Sequence, residues 1–367
     1  MTVVRDVLLW CAGIALIVVV VDAAIRTFVL PRGAVVRLTR VIAVGVRSAF
    51  DVRLRFCRTY EQRDRVMAMY SPIVLLAFVT VWLAMLVGAF TMIFLAVDGD
   101  GIADALTTAG SSLFTLGFER PPTTVGTIVA FGAASFGLGL VALLIAYLPT
   151  LYGAFSRREV LVAYMAARAG TPARPVDLLI RAQRIGRLDD LDDLWVRAQD
   201  WFAELEETHT SLPLLSFFRS PTSDRSWITA AGAILDSAAL VNSTVDVPFQ
   251  PMAGLCIRSG FTALRAIGGF FNIPSPADPR PDDRITIGRE EWERVCDELL
   301  AAGVPLKADR DQAWRDFAGW RVNYDVVLVT LAGLVLAPPA PWSSDRSVRF
   351  RVAATSWGRR RRSTPGV

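Results

Sequence analysis

The chain has few of the residues from which metal centres and catalytic sites are usually built. Its 367 residues include a single histidine, His209, and four cysteines. The cysteines are scattered and form no CxxC pair: Cys11, Cys57, Cys256 and Cys296. This spacing argues against a disulfide framework and against a zinc site. His209 stands in the polar stretch EETHTS, where we expect an exposed side chain at a helix end.

Motifs for nucleotide binding and catalysis are missing as well. No GxGxxG follows a strand pattern, and neither a P-loop nor an EF-hand is present. The net charge is only +4, so no global field indicates a nucleic-acid partner. Four clustered carboxylates are compatible with a divalent-cation site, but their amphipathic helical pattern favours a solvated face: Asp189, Asp190, Asp192 and Asp193. We therefore expect that the chain is not an enzyme and that it binds neither a cofactor nor a metal. A membrane-bound enzyme with its site in the carboxy-terminal half is the less favoured alternative.

Lysine is nearly absent, since Lys307 is the single lysine of the chain. Arginine in its place is typical of a high-GC bacterial genome. Apolar residues, in contrast, are abundant: 53% of the chain is hydrophobic and the mean hydropathy is +0.41. This composition predicts that part of the chain lies in lipid.

Three segments are long and apolar enough to cross a bilayer, which takes about 20 residues. They are Val7–Leu30, Ile73–Val97 and Val125–Tyr147. The first segment carries Asp22 and Arg26, whose spacing of four predicts an ion pair on one helix face. This segment also resembles a secretory signal peptide, which is the alternative to a retained helix.

The distribution of arginine favours the retained helix and predicts the orientation. Nine arginines lie between residues 32 and 65, against three acidic residues. Short basic loops stay in the cytoplasm, so export of this loop would violate that rule. Arg157 and Arg158 follow the third segment on the same side. We expect a multi-pass protein of the bacterial inner membrane, with the amino terminus outside and the carboxy-terminal half in the cytoplasm.

The basic loop has an amphipathic pattern of its own. Val35, Leu38, Ile42 and Val46 recur at helical spacing among the arginines. Such a helix either lies on the inner leaflet, in contact with membrane lipid, or packs on other protein. The pattern fits both interpretations equally.

The stretch between the second and third segments is unusual for an external loop. It reads IADALTTAGSSLFTLGF and is largely apolar or small. Ile102–Leu113 has the pattern of a short helix that Asp100 can cap. A helix of this length spans about 18 Å, too little to cross a bilayer. Non-helical backbone at membrane depth is tolerated only inside protein or beside water, which predicts a re-entrant loop.

The order of these elements resembles the pore module of the potassium-channel superfamily. The likeness runs from about Ile73 to Glu159 and includes Thr115-Leu116-Gly117-Phe118 in place of the family's Thr-Val-Gly-Tyr filter. A second filter-like string, TTVG at 123–126, has no room for a helix before it and is predicted to begin the third segment.

The resemblance implies a function for several positions. In that family four filter loops aim backbone carbonyls and the threonine hydroxyl at dehydrated potassium ions. This assigns the ion path to Thr115, Leu116, Gly117 and Phe118. It implies a homotetramer, because one loop cannot enclose an axis. The small-residue stretch SFGL resembles inner helices of the family, and its Gly137 and Gly139 suit a hinge or a point of close packing. Pro149, near the inner end of this helix, is predicted to bend it around a gate.

The chain departs from the family after the filter. Where the family continues Gly-Tyr-Gly-Asp, this chain has Gly117, Phe118, Glu119 and Arg120. Glutamate does not easily adopt the backbone of glycine, so we expect an altered outermost carbonyl site. Four Glu119 carboxylates are expected to attract cations at the outer mouth unless Arg120 neutralises them. The favoured function is a tetrameric cation channel that conducts potassium without strict selectivity for it. The alternative is a non-conducting membrane scaffold or sensor that keeps the pore fold.

The carboxy-terminal half is predicted to be helical, and no motif identifies its ligand. The helical patterns are Val160–Arg168, Pro175–Arg187, Asp189–Glu207, Trp227–Leu240, Met252–Phe271, Glu290–Ala302, Asp309–Trp320 and Asn323–Leu336. Asp236 and Arg258 argue against further membrane spans. We thus predict an all-α membrane protein with five parts: a membrane helix (1–30), a basic amphipathic segment (31–70), a pore module (71–156), a helical cytoplasmic domain (157–340) and a basic, disordered tail (341–367).

Overall fold

The computed structural model describes residues 2–30, 37–99 and 101–346, and the regular structure of these residues is helical. Within them, β-structure is limited to one isolated bridge between Val245 and Leu306. The α-helices are α1 (Thr2–Phe28), α2 (Arg37–Leu54), α3 (Tyr60–Ala68), α4 (Tyr70–Val97), α5 (Ile102–Leu113), α6 (Thr124–Ala169), α7 (Pro175–Arg184), α8 (Asp192–Ser211), α9 (Trp227–Ser243), α10 (Pro251–Phe270), α11 (Arg289–Ala301), α12 (Arg310–Arg321) and α13 (Asp325–Val335).

Three helical stretches are long and apolar enough to cross a membrane: Val3–Phe28, Tyr60–Val97 and Thr124–Ala169. The prediction of an all-α protein with three candidate membrane spans is therefore confirmed. The chain divides into two compact units. The first unit is the chain up to Ala49 together with Tyr70–Tyr152, and the second is Phe50–Met69 together with the chain from Gly153 onward.

In the first unit, α1 packs along α4 through one face. Its buried residues include Ile17, Val20 and Ala24, whose spacing of three and four places them on one side of a helix. Gly13 continues this face, and a Cβ added there would lie 2.7 Å from the carbonyl oxygen of Ala89 in α4. The predicted ion pair between Asp22 and Arg26 is confirmed, with 2.7 Å between the carboxylate and the guanidinium.

The predicted basic segment 31–70 is divided between the two units. Residues 31–36, which include Val35, lie outside the described part of the chain. α2 begins in the first unit, where Ala43 is buried and its carbonyl accepts a hydrogen bond from the Tyr70 hydroxyl at 3.4 Å. α3 belongs to the second unit. One face of α2 thus packs on protein, while Val41 is exposed.

α6 is one continuous helix of 46 residues, where the sequence predicted two shorter ones. Pro149 lies inside it, at the place where the two predicted helices were separated. Proline lacks the N–H that would reach the carbonyl of Ile145, so one helical hydrogen bond is missing there. Tyr147 and Leu151, on either side of Pro149, are both buried.

The second unit is built around α9. Every residue of α9 is buried, and α7, α10, α12 and α13 pack against it. Asp236, near its middle, forms an ion pair with Arg321, which also pairs with Asp325 at 2.8 Å. The hydroxyl of Tyr324 donates a hydrogen bond to Asp236 at 2.8 Å. The apolar α9 is therefore a core helix whose charge is compensated by its neighbours.

His209 was expected at the surface, and this prediction is wrong. It lies on the buried face of α8 with Phe202 and Leu205, at spacings of three and four residues. Its Nδ1 lies 3.1 Å from the carbonyl oxygen of Leu205, and its ring contacts Trp227 with 4.8 Å between centroids. The helical period, followed one turn further, predicts this burial despite the polar neighbours.

The disordered tail was predicted to begin at residue 341, and this boundary is also wrong. Trp342 and Ser343 are buried in the second unit. The carbonyl of Trp342 accepts a hydrogen bond from Arg321, and Arg346 pairs with Glu291 at 3.0 Å. A tryptophan can bury enough apolar area to order a short segment after the last helix. Residues 347–367, which include the four consecutive arginines, lie outside the described residues.

Candidate functional site

The predicted short helix is present as α5, with the expected bounds. It begins after Gly101, which has no side chain to cap it, and the predicted cap Asp100 lies outside the described residues. Ala105, Ala109 and Leu113 are buried on the side of α5 that faces protein. α5 packs on α4 and ends at Leu113, immediately before the candidate filter.

The carboxyl end of α5 is held against α6 at Gly137. A Cβ added to Gly137 would lie 2.0 Å from the carbonyl oxygen of Leu113, so no larger residue fits without a shift. At the preceding residue of α6, the rings of Phe136 and Phe90 lie 6.1 Å apart and join α6 to α4. Gly137, predicted as a hinge or a point of close packing, is thus a point of close packing. Gly139 has no atom within 4 Å of the position its Cβ would take.

The loop after α5 is anchored by its backbone N–H groups. The amide of Thr115 donates to the carbonyl of Ser112 at 3.0 Å, and the amide of Leu116 to that of Ser111 at 2.8 Å. The amide of Gly117 reaches the same Ser111 carbonyl at 3.4 Å. These bonds satisfy carbonyls that the end of a helix otherwise leaves unpaired.

In the described part of the chain, the backbone carbonyls of Thr115–Phe118 accept no hydrogen bonds, whereas most amides of the loop are paired. Within the described residues, no hydrogen bond reaches the carbonyl oxygens of four successive residues: Thr115, Leu116, Gly117 and Phe118. All four residues are exposed. The Thr115 hydroxyl donates to the carbonyl of Phe114 at 2.7 Å and keeps its lone pairs. The loop therefore presents a run of unpaired oxygen ligands.

The conformation of the loop is strained at one residue. Gly117 has a φ of +70° and Thr115 a φ of +55°. Glycine adopts the left-handed region freely, but a β-branched threonine there is an outlier that costs about 1–3 kcal/mol. Such strain persists where surrounding structure enforces it and is concentrated at functional sites. At Thr115 the enforcing contacts are the hydrogen bonds from the loop to the last turn of α5.

Glu119 does not replace glycine in a left-handed conformation, since its φ is not positive. Its amide donates to the buried hydroxyl of Ser111 at 3.1 Å, and its carbonyl lies 3.5 Å from the same hydroxyl. Glu119 is an exposed residue, and among the described residues no ion pair joins its carboxylate to Arg120. The sequence predicted an altered site at Glu119 but did not identify Ser111. The signal was a serine one turn before Thr115 on the face of α5 that packs inward.

The filter-like string TTVG begins α6, as predicted. The hydroxyl of Thr123 accepts a hydrogen bond from the amide of Gly126 at 2.9 Å, which is the geometry of a helix cap. The same hydroxyl donates to Asp98 at the end of α4. These contacts join the two long helices that flank the loop. Pro149, the third predicted hinge residue, lies on α6 beyond the buried Tyr147.

The polar side chains outside this loop form no further candidate site in the described part of the chain. Within the described residues no group of three or more His, Cys, Asp and Glu side chains is placed to hold a metal. The four aspartates of residues 189–193 are exposed around the start of α8. Comparison of the chain with family models, curated proteins and solved structures finds no match.

Proposed function

We propose that this chain is one subunit of a tetrameric cation channel whose ion path runs along the carbonyls of Thr115–Phe118. The observation that carries the proposal is a run of four exposed residues whose carbonyls accept no hydrogen bond within the described part of the chain, on a loop between two apolar helices. In a bilayer, such backbone must be covered by protein or face water. A water-filled path enclosed by several copies of the loop meets both conditions.

The surroundings of the loop support an assembly. Phe114, Leu116 and Phe118 are 49%, 62% and 65% exposed in the single chain. Contact with further copies would cover these side chains. The same contacts would help to hold Thr115 in its strained conformation. The number of subunits, four, is the one that the resemblance to potassium channels implies.

The mechanism is passive. A permeating potassium ion exchanges its hydration water for the carbonyl oxygens of the loops and moves between neighbouring sites down its gradient. The carboxyl end of α5 carries a partial negative charge that favours a cation nearby. The exposed Glu119 carboxylates raise the local cation concentration at the mouth. No cofactor takes part, and the amino terminus is placed outside a bacterial inner membrane.

A second candidate is a scaffold or sensor that keeps this fold without conducting. It is favoured by Glu119, whose backbone contacts Ser111 and supplies no free carbonyl to the loop. Measured ion flux separates the two candidates.

The test is efflux of potassium and of sodium from liposomes that contain the purified full-length chain. We expect potassium efflux well above that of empty liposomes. Gly117→Asp is expected to reduce it at least tenfold, because aspartate does not favour a φ of +70° and adds a charge to the path. Asp189→Asn, at an exposed position of the second unit, serves as the control and keeps wild-type flux. Background efflux from a verified tetramer would favour the scaffold.

A further inference from the structure

We infer that Ser111 is a positioning residue that ends the ion path at Phe118 by holding the backbone of Glu119 against α5. The inference rests on the proposed function and assigns the outer end of the proposed path. It follows from the position of one buried hydroxyl, which lies between two backbone groups of the same loop residue.

Ser111 contacts the loop through both its backbone and its side chain. Its carbonyl accepts the amides of Leu116 and Gly117, and its hydroxyl accepts the amide of Glu119 at 3.1 Å. The carbonyl of Glu119 lies 3.5 Å from the same hydroxyl, a longer and weaker contact. Ser111 is 1% exposed, so water does not compete for these groups.

The contact between Ser111 and Glu119 sets the end of the run of carbonyls without hydrogen bonds. Both the N–H and the C=O of Glu119 reach the Ser111 hydroxyl. The Glu119 carbonyl is therefore withdrawn from the run formed by Thr115–Phe118. Its carboxylate remains exposed beyond this run. Glu119 thus contributes charge to the mouth and no backbone ligand to the path.

A hydroxyl is well suited to this role, since it accepts from an N–H and donates to a carbonyl at the same time. Alanine offers neither interaction and would leave the Glu119 amide without its partner. Threonine keeps the hydroxyl. Ser112 is a matched control, because it is the adjacent serine of α5 and its side chain makes no hydrogen bond within the described residues.

The experiment compares Ser111→Ala, Ser111→Thr and Ser112→Ala with the wild-type full-length chain in two measurements. The first is the ratio of potassium to sodium flux in liposomes. The second is amide hydrogen exchange of residues 114–120, which needs no conduction. We expect Ser111→Ala to speed exchange at Glu119 at least tenfold and to lower the flux ratio at least threefold. Ser111→Thr should restore both, and Ser112→Ala should change neither.

Two results with an assembled Ser111→Ala variant would overturn the inference. Unchanged exchange in Ser111→Ala would show that the hydroxyl does not hold Glu119. Faster exchange with an unchanged flux ratio would make Ser111 a structural contact with no part in the path. If Ser111→Ala does not assemble, Ser111→Cys, a weak donor and acceptor, takes its place with intermediate effects expected. If the wild type conducts neither ion, the proposed function fails and the path fails with it, while exchange still reports whether Ser111 holds Glu119.

Discussion

Gly137 and Gly139 are two residues apart on α6 and have different surroundings. The position of a Cβ on Gly137 is occupied by the carbonyl of Leu113, and that on Gly139 is open. Both glycines are equally unfavourable for helix formation by propensity alone. The difference between them is therefore a property of packing, and it separates a close contact from a tolerated glycine.

We expect Gly137→Ala to destabilise the first unit by about 1–3 kcal/mol, since α5 and α6 must move apart to admit the methyl group. Gly139→Ala should be neutral or stabilising by up to about 1 kcal/mol, because alanine is the better helix former. Denaturation of the two variants in detergent measures the difference. Equal stability would contradict the contact between Leu113 and Gly137.

His209 predicts a dependence of stability on pH. Its burial, and to a smaller extent the positive charge of Arg158, holds the pKa of His209 well below its ordinary value. The unfolded chain therefore binds a proton near pH 6.5 that the folded chain does not bind. The stability contributed by neutral His209 is present above that pH and is lost as the pH falls towards the folded pKa.

We expect the free energy of unfolding of the second unit to fall by up to about 1.4 kcal/mol per pH unit below pH 6.5 through this group. His209→Phe keeps an aromatic ring against Trp227 and removes the titration. Chemical denaturation at pH 7.5, 6 and 5 should give a shallower pH dependence in the variant. Parallel curves for the two proteins would exclude this role of His209.

At the scale of elements, α9 depends on its charged neighbours. Asp236 is fully enclosed and shares Arg321 with Asp325. Thr286 donates to Asp325 through its hydroxyl and its amide, both at 2.7 Å. Four parts of the second unit, α9, α12, α13 and the chain before α11, meet at this cluster. Removing one partner leaves a buried charge without compensation.

We expect Asp236→Ala to destabilise the second unit by about 3–5 kcal/mol. Asp189→Ala, at an exposed position, should change stability by no more than about 0.5 kcal/mol. Thermal unfolding followed by circular dichroism compares the variants with the wild type. A loss below 1 kcal/mol for Asp236→Ala would mean that the cluster relaxes or admits water.

Within the second unit, Arg158 joins the carboxyl end of α6 to a turn that follows α8. Its guanidinium donates to the carbonyls of Leu215 and Phe218, each at 2.9 Å, across the 3₁₀ turn Pro213–Phe217. Its neighbour Arg157 is exposed and pairs with Glu204. Arg158 thus fixes a turn of the chain, whereas Arg157 forms a surface pair of small expected value.

We expect Arg158→Lys to speed amide exchange in residues 213–218 at least tenfold, because an ammonium cannot reproduce the two directed bonds of the guanidinium. Arg157→Lys is the control and should leave exchange in this turn unchanged. The comparison is made by mass spectrometry of peptides from the full-length protein. The indole N–H of Trp227 also donates to this turn, at the carbonyl of Ser216. Equal exchange in both variants would mean that Trp227, and not Arg158, orders the turn.

At the scale of the whole molecule, the proposal requires four chains. Native mass spectrometry of the protein in detergent is expected to give four times the chain mass of 40.1 kDa. Phe118→Asp places a charge on an exposed apolar residue of the loop and should weaken this assembly. A monomer in the wild type would contradict the tetramer and, with it, an ion path built from one loop per chain.

The sequence by itself determined the three apolar stretches and the bounds of α5, although it divided α6 into two helices. These features depend on residues close together in the chain, because apolar length and helical period are local properties. The resemblance to a filter also depends on neighbouring residues. It identified Glu119 as the position where this chain differs from the filter sequence of potassium channels.

Only the tertiary structure decided which side chains meet across the chain. Three such contacts are the hydrogen bond of Ser111 with Glu119, the close packing of Leu113 on Gly137, and the ion pair of Asp236 with Arg321. It also buried His209 and Trp342, where the sequence predicted an exposed residue and a disordered tail. The physical reason is that burial and pairing depend on which helix faces pack together, and a local pattern gives a face without its partner.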